Sequence, residues 1–188
     1  RHLVEFLLRT GSITTGSALS ANPEAMLEGG RLHRKIQRTQ NATYQSEVPL
    51  KMEWQEEGYI LVLEGRADGI DRMNLEEENV IYVDEIKCVY RNIEEIEEAD
   101  FLHLAQAKCY AYMYGHKHGL EKIGIQITYC HLETEEIKRI FSVYSMEELS
   151  LWFADLLDSY RMWASYYVAA RKQRNESIKQ LKFPFDFR

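Results

Sequence analysis

With 188 residues, 45% of them hydrophobic and 28% charged, the chain has the size and balance of one compact domain able to bury a core without staples. No apolar run approaches the roughly 18 residues a membrane span needs and no signal peptide is read at the start, which makes the cytoplasm the expected compartment. The net charge of −7 argues against a general nucleic-acid coat, because phosphate binding draws on Lys and Arg.

His2 to Arg9 reads as a short amphipathic helix closed by Gly11. Asn22 and Pro23 form an N-cap and first-turn pair for a second helix running to about Thr39. This helix holds Arg31, Arg34, Lys35 and Arg38, a cluster read either as a solvated face or as a local basic patch. Gly29 and Gly30 inside it each cost about 1 kcal/mol relative to Ala, so a close approach to the sheet is expected. That approach would turn the stripe Met26, Gly29, His33 and Ile36 inward.

Tyr44 to Trp54 alternates, with Val48, Leu50, Met52 and Trp54 on one face and Glu47, Lys51 and Glu53 on the other. That is a half-buried strand, and Pro49 places it near an edge. A second strand runs from Tyr59 to Asp68 with a bend at Gly65, and Met73 to Asn79 reads as a polar connection. Val80 to Tyr90 is apolar on both parities, the mark of a central strand, and Glu85 and Lys87 share one of its faces.

Ala99 to His118 is a helix apolar almost all round and therefore buried. Gln106 and Tyr110 lie one turn apart on it. Two more strands, Ile123 to Leu132 and Glu136 to Tyr144, precede a long amphipathic helix from Met146 to about Arg174 whose inner face carries Leu149, Trp152, Phe153, Leu156, Tyr160, Trp163 and Tyr167. Three adjacent strands without intervening helices are antiparallel, and the helix before the fourth lets it return parallel. The expected architecture is α/β, a mixed central sheet flanked by helices.

The odd count of three cysteines, Cys88, Cys109 and Cys130, with no CxxC pair, suits neither a disulfide framework nor a zinc site. They read as reduced, mostly buried hydrophobes.

Asp68, Glu85 and Lys87 are the chemistry-bearing residues. Burying an isolated charge is costly, so a carboxylate and an ammonium in a central strand, with an aspartate ending the next, need a reason. A plain salt bridge is one. The other is that Asp68 and Glu85 hold Mg2+ or Mn2+, cations that prefer hard oxygen ligands, while Lys87 orients a nucleophile or stabilises a phosphorane-like transition state. His33 is either a satisfied core histidine or a further ligand, in which case Mn2+ is favoured. Gln106 and Tyr110 either serve the core or reach toward a phosphate beside Lys87.

GRADGID (Gly65 to Asp71), DEIK (Asp84 to Lys87) and QAKCY (Gln106 to Tyr110) together resemble the RecB-like branch of the PD-(D/E)XK nuclease superfamily over about Met26 to Tyr114. The resemblance implies a restriction-endonuclease-like core in the order αβββαβ. It implies metal ligation by His33, Asp68, Glu85 and the main-chain carbonyl of Ile86, catalysis by Lys87, and a QxxxY pair in Gln106 and Tyr110. The expected activity is that of a metal-dependent deoxyribonuclease, an exonuclease on single-stranded or unwound DNA in repair or recombination. The alternatives are a non-catalytic DNA-binding or docking module, or an unrelated α/β interaction domain.

Some such nucleases carry four cysteines for an iron–sulfur cluster; this chain has three, and no cluster is expected. Leu181 to Arg188, LKFPFDFR, resembles the lead-in to a helicase of the DinG or XPD type. Residues 1–176 are accordingly read as the nuclease domain, and 177–188 as a linker to a covalently attached helicase.

Overall fold

The structure, a computed structural model, describes residues 1–9, 23–75 and 78–180. Helices α1 (His2–Leu8) and α2 (Pro23–Arg38) precede strands β1 (Gln45–Glu56), β2 (Tyr59–Leu75) and β3 (Glu78–Val89). Helix α3 (Phe101–His118), strands β4 (Lys122–His131) and β5 (Ile137–Ser145), and helix α4 (Met146–Lys179) follow. From α2 to β4 the long elements run in the order αβββαβ.

The five strands form one sheet in sequence order. β1–β2, β2–β3 and β4–β5 are antiparallel and β3–β4 is parallel. α3 is the crossover that the parallel pair requires, so the fold is a mixed sheet flanked by helices. β3 is central, as its two-sided apolar pattern predicts. β1, with Pro49, is an edge strand.

The pleat sorts β3 between two cores. Val83 joins Ile125, Ile127, Tyr129, Ala107 and Tyr110 beneath α3, whereas Ile86 packs with Leu32, Ile36, Cys130 and Leu132 beneath α2. α1 and α4 close the α3 side through Val4, Ala105, Cys109, Phe153, Leu156 and Leu157. Asp100 caps α3, accepting from the amides of Leu102 and His103, and Gly119 ends the helix at φ 62°. Ser145 and Glu148 form a capping box at the start of α4. Among the described residues, no helix is long and apolar enough to cross a membrane.

Several sequence expectations change. Met73 to Asn79 is not a polar connection: β2 runs to Leu75 and pairs with β3 down to Leu75↔Glu78. The polar side chains there do not prevent pairing, because ladder bonds come from the backbone. On α2, Leu32 is buried and Met26 is 69% exposed, so the inward stripe starts later than the spacing suggests. A Cβ on Gly29 would meet the Cys88 Cβ at 3.7 Å, ordinary van der Waals contact, so packing does not require glycine there. α4 extends to Lys179, past the end expected near Arg174, while Trp163 and Tyr167, expected on its inner face, are 41% and 48% exposed. Gly11, Asn22 and the 181–188 segment lie outside the described residues.

Candidate active site

The site forms where β2 and β3 part. Their ladder begins at Gly69↔Asp84; beyond it β2 stays with β1 and β3 with β4. Asp68 stands in this fork, and its Oδ2 accepts the Ile86 amide at 2.7 Å. A side chain thus replaces the strand that has left. Along a strand the N–H and C=O of one residue point to the same edge, so the Ile86 carbonyl faces the fork as well, although it is the amide that touches Asp68.

Glu85 is 1% exposed, and neither of its oxygens has a hydrogen-bond partner among the described residues. Lys87 Nζ lies 2.6 Å from Oε1, near enough for an ion pair but not aligned for a directed hydrogen bond. Burial first, and then the like charge of Asp68, push the Glu85 carboxyl pKa upward, and Lys87 opposes them. Lys87 also donates to Gln106 Oε1 at 3.4 Å, and Gln106 Nε2 donates to Tyr110 Oη at 3.5 Å. Gly65 admits this tyrosine, since a Cβ there would sit 2.7 Å from the Tyr110 ring.

His33 comes from α2 on the other side of the fork, its Nε2 3.1 Å from Asp68 Oδ2. That contact raises the His33 pKa against the opposing effect of burial. A residue that the sequence reading gave no part in the site joins it. Glu47 has φ 56°, a left-handed conformation uncommon for a non-glycine residue, and sits opposite Asp68 between the pairs Ser46↔Gly69 and Val48↔Ala67. Its Oε1 is 3.9 Å from His33 Nδ1 and accepts from Gln37 Nε2 at 3.0 Å.

His33, Glu47 and Asp68 each offer a ligand atom, all within 4.8 Å of one another. The structure therefore brings His33 and Asp68 together directly. Glu85 stands beside them, near enough for Asp68 to raise its pKa but outside that closest group. One imidazole, several hard oxygens and a buried carboxylate without a donor suit Mn2+ or Mg2+. Alternation had placed Glu47 on the solvent face, and nothing in its sequence neighbourhood announces a positive φ.

A cleft of about 520 Å³ opens beside His33 and Glu47, lined also by Arg34, Arg38 and Arg66. The basic cluster of α2 is thus divided: Arg31 is paired with Glu28 and Glu135, and Lys35 with Glu135, while Arg34 and Arg38 face the cleft. On the opposite face of β3 a separate polar group is fully satisfied. Asp84 accepts from Thr128, Gln126 and Tyr44 at 2.6, 3.2 and 3.1 Å. Its neighbour Glu85 has no such donors among the described residues.

No protein-family model matches the chain, and no curated protein does. Among solved structures it is similar to that described as the crystal structure of SSO0001, with TM-score 0.51 and 21% identity over 76% of this chain. The match spans 61% of that protein's length. At this identity the likeness is one of fold: a mixed sheet flanked by helices.

Proposed function

We propose that the chain is a divalent-metal-dependent nuclease that hydrolyses phosphodiester bonds of DNA, acting as an exonuclease on single-stranded or unwound strands. The observation that carries this reading is Glu85, a carboxylate without a directed donor, buried beside Asp68 and next to a lysine. A fold stabilised for its own sake has no use for that arrangement, because an imperfectly paired buried charge destabilises. A metal cation would supply the ligation that Lys87 alone does not give it.

His33, Asp68 and Glu85 would hold Mg2+ or Mn2+, with the Ile86 carbonyl facing the same fork and Glu47 in reach of His33 and Asp68. When bound, the cation supplies a more acidic attacking water and offsets charge developing on the phosphate. Lys87 stands where its ammonium can stabilise that charge or orient the nucleophile. Gln106, in contact with Lys87 and Tyr110, keeps the ammonium from pairing with Glu85 alone. Arg34 and Arg38 give the cleft beside the site cations for the phosphate backbone, despite the overall negative charge, while Arg66 there is paired with Glu47. The helicase link read from residues 181–188, a cytoplasmic setting and a role in repair or recombination belong to the same proposal.

Incubating labelled single-stranded DNA with Mn2+ or Mg2+ tests it. Wild type should degrade the strand, and Asp68→Ala, Glu85→Ala and Lys87→Ala should each lose at least a hundredfold in rate, since each removes a group acting on developing charge. Equal cleavage by all four proteins would rule this site out. Salt-dependent binding with no cleavage under either metal would favour the docking-module alternative.

A further inference from the structure

Beside Lys87, on the side of α3, one ionisable group is held in place and has no role in the reading above. His103 lies in the first turn of α3, one turn before Gln106 and two before Tyr110, so all three share a helix face. Its Nδ1 lies 3.1 Å from Tyr129 Oη. Tyr129 is 2% exposed and is the cross-strand partner of Lys87 in the β3–β4 ladder. Two neighbouring positions of the sheet thus carry the lysine and the support of the histidine.

The hydrogen bonds around Tyr129 bear on which imidazole nitrogen is available. The Asp100 amide donates to Tyr129 Oη at 2.9 Å, so this oxygen already acts as an acceptor. With its own hydrogen given to His103 Nδ1, the proton of a neutral imidazole stands on Nε2; in the reverse tautomer Nδ1–H would donate to the same oxygen. Lys87 in turn contacts Gln106, one turn further along the same helix face, so the lysine and the histidine border one region of the site. The His103 side chain remains 29% exposed, so it can meet a ligand.

We infer that His103 is a substrate-positioning residue whose Nε2–H, oriented by Tyr129 and the Asp100 amide, donates to a non-bridging oxygen of the DNA phosphate held against Lys87. This assignment rests on the nuclease reading for its ligand, but its geometry is independent of the metal ligands. A neutral donor suits the place: it adds a directed hydrogen bond to an anion without competing with Lys87 for Glu85.

The test compares His103→Gln with His103→Asn in the full chain. A glutamine amide reaches the position of Nε2, whereas asparagine reaches only that of Nδ1. His103→Asn should lose roughly ten- to a hundredfold in affinity for a single-stranded oligonucleotide, the loss expected for a hydrogen bond to a charged group. It should raise KM with little change in kcat, and His103→Gln should recover most of the loss at the same Tm. Binding is read by fluorescence anisotropy in Ca2+, and cleavage in Mn2+. ¹⁵N spectra of the wild-type imidazole should show the Nε2–H form, and Tyr129→Phe should mix the two tautomers.

Cleavage by wild type with both His103 variants equal to it in KM and affinity would overturn the assignment and leave the nuclease reading standing. Oligonucleotide binding without cleavage by wild type would overturn the nuclease reading; weaker binding by His103→Asn than by His103→Gln would then still support the positioning role. An Nδ1–H tautomer in the wild type would overturn it outright.

Discussion

Asp84 and Glu85 are adjacent, equally buried and differently treated, and the difference is chemical. The pleat sends Asp84 to a hydroxyl, an amide and a phenol, and sends Glu85 to a place where Lys87 is its ion-pair partner and Asp68 a nearby like charge. Folding raises the Glu85 pKa, so its protonated form is favoured in the folded chain more than in the unfolded one. Stability therefore declines as pH rises from the ordinary carboxylate range through the raised value. Glu85→Gln, which cannot ionise, should raise Tm at neutral pH by several degrees, corresponding to about 1–2 kcal/mol, and should abolish cleavage. A lower Tm for this variant would mean that the ion pair with Lys87 stabilises the fold after all. The same protons oppose metal binding. His33 carries a raised pKa because of Asp68, and Glu85 because of burial, so Mn2+ should release protons on binding and bind more weakly as pH falls. Calorimetric titrations in two buffers of different ionisation enthalpy should then differ; identical heats would show that no proton leaves. The cysteines are also decided locally: burial pushes the thiols of Cys88 and Cys109 up to about 12, so native protein at pH 8 should react slowly with a thiol reagent and unfolded protein quickly.

At the level of strands and helices, periodicity carried most of the information and backbone geometry carried the rest. The alternation in β1, the two-sided pattern of β3 and the apolar surround of α3 all follow from burial of the side chains concerned. The hairpin at Leu75↔Glu78 escaped because Asn74 and Glu78 are polar and their pairing is a property of the main chain. Glu47 escaped for a similar reason, since a positive φ at a glutamate leaves no mark in the pattern. His103 was not singled out, although its spacing to Gln106 and Tyr110 follows the same helical rule that identified that pair. Two glycines give contrasting expectations. A Cβ at Gly69 would fall 1.8 Å from Tyr44 Oη, so Gly69→Ala should destabilise by about 1–3 kcal/mol or more through overpacking and disturb the hydrogen bond from Tyr44 to Asp84. Gly29→Ala, with 3.7 Å of room, should stabilise by up to about 1 kcal/mol through helix propensity. Urea denaturation of both variants checks the pair, and equal effects would show that packing at Tyr44 does not constrain β2.

Across the molecule, the sheet is a scaffold that diverges at one point, and the candidate site sits at the divergence. α2 brings His33 from one side of the sheet, α3 brings His103, Gln106 and Tyr110 from the other, and the parting strands supply Asp68, Glu85 and Lys87. Sequence spacing identified most of these groups because strands and helices have fixed periods. It could not measure how far Glu85 stands from His33 and Asp68, nor show that Glu47 turns toward them, since both depend on how β1 and β2 twist at the fork. The outer half of α4, with Trp163 and Tyr167 exposed, likewise shows that an apolar stripe does not by itself name what covers it. The most direct measurement is anomalous diffraction from crystals soaked in Mn2+. A peak in the fork, ligated by both Asp68 and Glu85 and by His33, is the predicted result; a fork that stays empty at saturating Mn2+, with Lys87 still against Glu85, would contradict it.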